Sequence, residues 1–165
     1  MMKMKCEIPV TLMDSAIAFE SILRAKYEDY SFGWQTFGED DSEHEAVYIV
    51  EKNGVVVTVV IGEDGTGFYA CGPVNRWKIP DIETISFEEI FANICGYNYF
   101  SLQVMEDEDE GNFFNGEYHF PELKEGICSA VTYGMFLNEV LEHFLEESKA
   151  FDTMFWEILH TKEES

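Results

Sequence analysis

Apolar residues at Leu12, Ala16, Phe19, Leu23 and Tyr27 recur at three- and four-residue spacing, the signature of one buried helical stripe. The helix is predicted to begin at Thr11, whose hydroxyl can cap it, with Asp14 supplying a carboxylate to the first turn. Phe32-Gly-Trp34-Gln-Thr-Phe37 then predicts a short strand, and Glu39-Asp40-Asp41-Ser42-Glu43-His44-Glu45 its exposed turn.

The clearest local signal is a hairpin, Ala46–Lys52 and Val55–Gly62 joined by Asn53-Gly54. Both link residues tolerate positive φ, so a type I′ turn is expected, and a two-residue link sets the register. Lys52 faces Val55, Val50 faces Val57, and Tyr48 faces Val59, with Ala46 and Ile61 beyond. The opposite face carries Val47, Ile49, Val56, Thr58 and Val60, with Glu51 at its end. A solvated sheet face alternates with polar residues. Neither face does, so both call for cover.

Glu63–Gly67 turns the chain into another short strand, Phe68–Cys71. Ser86-Phe-Glu-Glu89 reads as a capping box, followed by Phe87, Ile90, Phe91 and Ile94 as a buried face and by Gly96 as a stop. Strands are predicted near Tyr99–Met105 and Phe113–Phe120, joined by Glu106–Gly111. A last helix runs from Ser129 to about His160 with Phe136, Val140, Phe144, Phe151, Phe155 and Leu159 inward, and a break is expected near Ser148. The predicted class is α+β: one twisted antiparallel sheet packed with helices, in the order α, three or four β, α, β, β, α, as one domain over 1–165.

Charge changes the functional picture. Thirty-three acidic residues against ten basic ones give a net charge of -23, in a chain that is 46% hydrophobic and 15% aromatic. Disordered acidic chains lack that apolar content, so the charge belongs on the skin of a folded domain. It repels phosphate backbones and anionic lipid surfaces, which argues against direct nucleic-acid or membrane binding. Cys6, Cys71, Cys95 and Cys128 are scattered without a C-x-x-C pair and are expected as reduced thiols. Lys3 and Lys5 precede no apolar core of a signal peptide, and no run of about 18 apolar residues occurs, so a cytoplasmic protein is expected.

Candidate chemistry is sparse. Glu106, Glu108, Glu110, Gly111 and Glu117 fall at positions 1, 3, 5, 6 and 12 of a calcium-loop spacing. The side chains are glutamates where shorter ligands are usual, and the flanks read as strands, so a solvated hairpin loop is expected. His143 lies four residues from both Glu139 and Glu147, a spacing that also suits ordinary pairing on a helix surface. His44 and His119 have no partner at motif spacing, no G-x-S-x-G elbow or phosphate loop occurs, and Gly65-Thr66-Gly67 is too short and too acid-flanked to cradle phosphate. Trp34 and Trp77 are read as core filling, with a partner-facing role as the alternative. No catalytic, cofactor-binding or metal-ligating residue is assigned.

The second half resembles the YbjN family of small bacterial proteins, whose fold is similar to class I type III secretion chaperones. The resemblance rests on Phe91-Ala-Asn-Ile-Cys-Gly-Tyr-Asn98, Phe100-Ser-Leu-Gln-Val104, Glu106–Gly111, Glu117-Tyr-His-Phe-Pro-Glu-Leu123 and Phe136–Phe151. The family's basic step after the helix is replaced here by Gly96-Tyr97-Asn98-Tyr99. The resemblance implies a non-enzymatic, chaperone-like or regulatory protein, often dimeric, with no cofactor. The expected partner is another protein, a basic one among the options, together with a homodimer. Val47, Ile49, Val56, Thr58 and Val60 are the expected partner-binding residues. A DNA-mimic inhibitor of a nucleic-acid-binding enzyme and a small enzyme with an unrecognised site are the alternatives.

Overall fold

The computed structural model describes residues 8–72, 77–79, 86–109, 111–124, 126 and 128–163. Its elements are α1 (Val10–Lys26), β1 (Tyr30–Phe37), a 3-10 turn (Glu39–Asp41), β2 (Glu43–Lys52), β3 (Val55–Gly62) and β4 (Gly65–Cys71). They continue with α2 (Phe87–Ile94), β5 (Ser101–Asp107), β6 (Gly111–Pro121) and α3 (Ala130–Glu163). The class is α+β: among the described residues, one open antiparallel sheet of six strands, in the order β1-β2-β3-β4-β6-β5, with three α-helices. The chain divides into two compact units. The first comprises Met1–Val50, Thr58–Gly67 and His119–Leu141; the second comprises Glu51–Val57, Phe68–Tyr118 and Glu142–Ser165.

In the first unit, α1 buries the predicted stripe of Leu12, Ala16, Phe19, Leu23 and Tyr27. Its start differs from the prediction. Pro9 is the N-cap and its carbonyl accepts from Met13 N at 3.0 Å, while no side chain caps the helix and Thr11 is exposed. Proline's fixed φ suits the residue that opens a helix, and it places Thr11 inside the first turn, past the position from which its hydroxyl could cap. The stripe lies on β2. Phe19 meets Tyr48 edge-to-face with centroids 5.0 Å apart, and the Tyr48 hydroxyl donates to Ala16 O at 3.2 Å. The opening of α3 joins α1 through Ser15 Oγ to Ala130 O (3.1 Å) and Asn138 Nδ2 to Phe19 O (2.8 Å). A Cβ at Gly134 would lie 2.8 Å from Ala18 Cβ, so only glycine lets the two backbones approach this closely.

β1 pairs with β2 from Tyr30↔Val50 to Phe37↔Glu43 without a break. The acidic stretch expected as one exposed turn is shorter than predicted. Only Glu39–Asp41 turn, and Glu43, His44 and Glu45 enter β2, because the pairing with β1 extends through them.

The second unit has an aromatic core. Phe100 stacks on Phe151 (centroids 5.0 Å) and on Phe144 (6.0 Å), and Trp77 meets Phe151 edge-to-face at 4.9 Å. Trp77 is fully buried, and its indole N–H donates to Asp152 Oδ1 at 2.8 Å, which the Trp156 indole shares at 3.0 Å. A buried indole needs that acceptor. Ser86 caps α2 by accepting from Glu89 N at 3.3 Å. Ile90 is buried as predicted, but Phe91 is 54% exposed, since a helix of eight residues presents only its Phe87–Ile90–Ile94 side to the core.

α3 is continuous and does not break at Ser148. That hydroxyl donates back to Phe144 O at 2.6 Å, so a buried serine is satisfied without disturbing the helix. The inward stripe differs at its start: Phe136 is 48% exposed, and Tyr133, Leu137 and Leu141 are buried beside the predicted Val140.

Candidate interaction surface

The Asn53-Gly54 link forms as the sequence demands, with φ of 53° and 82°. Directly from that two-residue turn, Val47 lies opposite Val60, Ile49 opposite Thr58, and Glu51 opposite Val56. The two faces of the hairpin differ sharply in cover. Ala46, Tyr48, Val50, Val55, Val57, Val59 and Ile61 are all at most 1% exposed. On the other face Val47, Val56, Thr58 and Val60 are half-buried and Ile49 is 42% exposed. The cause is one-sided packing. In the first unit, α1 reaches the sheet through Tyr48. The opening of α3 reaches it through Tyr133, whose hydroxyl lies 3.2 Å from Thr66 Oγ1 and donates to Pro121 O at 2.7 Å.

β1 extends the uncovered face within the first unit. Ser31 pairs with Ile49 and Gly33 with Val47. A Cβ built at Gly33 would meet no other atom within 4 Å, so the space beside Val47 is open. Carboxylates frame this apolar patch. Glu43 and Glu45 share the face of Val47 and Ile49 at one end of β2, and Glu63 and Asp64 are exposed where β3 turns into β4. Val56 belongs to the second unit, half-buried beside the exposed Glu51.

The remaining predicted constellations disperse. Glu106 pairs with Asn112 and Glu117 with Ser101, five register positions away, so the two ends of the calcium-like spacing cannot converge. Asp109 N donates to Asp107 Oδ1 at 2.8 Å, an ordinary turn contact at the hairpin tip, and Glu110 lies outside the described residues. His143 pairs with Glu146 at 4.0 Å, and Tyr99 stacks on its ring with centroids 4.9 Å apart. Glu147 turns away to accept the backbone N–H groups of Asn98 and Tyr99 at 2.5 and 2.7 Å. Nothing in the sequence spacing marked that clamp, because its donors are backbone groups forty-nine and forty-eight residues away.

Among the described residues no three His, Cys, Asp or Glu side chains converge on a metal position. Among the described residues Cys71, Cys95 and Cys128 form no disulfide, and Cys6 lies outside them. His44 is buried with Nδ1 unpartnered, while His119 is exposed. Trp34 is half-buried on β1 against Phe32, whereas Trp77 fills the core.

A cavity of about 470 Å3 in the first unit, walled by Phe120, Pro121, Leu123, Cys128, Tyr133 and Phe136, has no signal in the local sequence pattern. Burial raises the Tyr133 hydroxyl above the ordinary tyrosine range, keeping it a neutral donor. No helix among the described residues is long and apolar enough to cross a membrane. No family model matches the chain. No curated protein and no solved structure matches it either.

Proposed function

We propose that this chain is a non-enzymatic, chaperone-like or regulatory protein that works by binding another protein on the open face of its sheet. The observation that carries the reading is the contrast at the hairpin: one face wholly buried, the other leaving Val47, Ile49 and Val60 only partly covered. Interfaces join an apolar centre to a polar rim. Here the centre is aliphatic and the rim is Glu43, Glu45, Glu63 and Asp64, which fits a partner with an apolar patch inside a basic rim. The YbjN-like pattern expected of the second half from its sequence is part of the same proposal. A homodimer on this face is a proposal of the same kind, but two copies would oppose two charges of -23, so it requires salt to screen them.

Capture from native lysate at two salt concentrations, by the natural chain and by an Ile49→Glu variant, tests the reading. A partner that survives high salt and is lost on Ile49→Glu supports it. A partner that is lost in salt and indifferent to Ile49→Glu favours the DNA-mimic alternative, because carboxylates imitating phosphates act through screened charge.

A further inference from the structure

β1 stands first in the strand order and, among the described residues, pairs with β2 alone. Its outer edge therefore presents backbone donors and acceptors along eight residues, Tyr30–Phe37. Folded proteins blunt such edges with charged side chains, proline or a bulge. This strand has none of them. Tyr-Ser-Phe-Gly-Trp-Gln-Thr-Phe carries no charge and no proline, although 26% of the chain is charged, and its register with β2 runs unbroken. Six of its eight residues are exposed, Phe32 at 40% and Phe37 at 43%.

The charge is instead gathered at the two ends. Glu28 and Asp29 precede the strand, and Glu39, Asp40 and Asp41 follow it on the 3-10 turn, all of them exposed. This arrangement discriminates between occupants. A second copy pairing antiparallel would set Glu28 and Asp29 against the copy's Glu39–Asp41 at both ends, a like-charge clash. A strand with cations at both ends meets opposite charge whichever way it runs.

We infer that the outer edge of β1 takes up an extended segment of a partner protein as an added strand. The segment is about eight residues long, or roughly 26 Å, uncharged in its centre and flanked by Lys or Arg. Backbone pairing along β1 supplies affinity, and the acidic ends select for charge and keep two copies of this chain apart. The site is the edge of β1, separate from the face of Val47 and Ile49, so either assignment can fail alone.

The test uses a synthetic peptide with an alternating Thr-Val centre of about eight residues and paired lysines at each end. Its control has the same ends and prolines in the centre, which cannot pair. Amide exchange over residues 30–37 should slow at least about tenfold on adding the first peptide, and its affinity should fall about tenfold between roughly 50 and 500 mM salt. The control should bind at least about tenfold more weakly. Glu28→Lys combined with Glu39→Lys, both exposed positions, should weaken the first peptide by about tenfold, whereas Ile49→Glu should not. Equal binding of the control peptide, or unchanged exchange in β1, overturns the inference. So does protection of β1 that rises with the concentration of the protein alone, since the occupant would then be a second copy.

Discussion

Gly116 lies under the ring of Phe100, and a Cβ there would collide with it. Gly54 is the opposite case: a Cβ would meet nothing within 4 Å, but φ is 82°. The two positions separate steric room from backbone strain. Gly116→Ala should cost about 1–3 kcal/mol through overpacking, and Gly54→Val about 1 kcal/mol or more through φ alone. Gly54→Asn, which tolerates the left-handed region, should recover most of the second loss in denaturant midpoint, and no conservative residue should rescue the first. A further residue-scale effect is alkaline sensitivity. Burial, and then the charge of Glu20, holds the Tyr48 hydroxyl above the ordinary tyrosine range. The unfolded chain therefore releases this proton first. Stability should be level below about pH 10 and fall as pH rises beyond it. Tyr48→Phe should reduce that slope, and it should cost about 1 kcal/mol at neutral pH for the lost bond to Ala16 O.

At the scale of elements, α3 begins under the Ser129 hydroxyl, which accepts from Thr132 N at 3.1 Å. Ser129→Ala should lower stability by about 1 kcal/mol, read as a shift in urea midpoint. How far such elements could be read from the sequence depended on whether their determinants were local. The α1 stripe and the Asn53-Gly54 turn were legible because spacing and φ tolerance lie within a few residues of each other. The start of α3 was misread because Phe136 and Leu137 are adjacent, and hydrophobicity favours the larger ring. Yet the close approach of Ala18 at Gly134 fixes the rotation that turns Leu137 inward and Phe136 out. The candidate face was legible as a row of aliphatic residues, but not which row lay open. That depended on helices from both ends of the chain choosing the Tyr48 side.

For the molecule as a whole, a net charge of -23 on 165 residues opposes compaction at low ionic strength. Added monovalent salt should raise the melting temperature. A melting temperature unmoved between about 20 and 300 mM would mean that the carboxylates are too dispersed to repel one another. The same charge shapes recognition. In the proposed reading it opposes the approach of a second copy at low salt and favours a partner of opposite sign on the aliphatic patch of Val47, Ile49 and Val60. The most direct test puts a photo-reactive amino acid in place of Ile49, on the open sheet face, and in parallel in place of Glu139, exposed on α3. Irradiation in the native cell should link position 49 to another polypeptide and leave position 139 unlinked. A partner captured at 139 and none at 49 would contradict the assignment of the open sheet face as the binding surface.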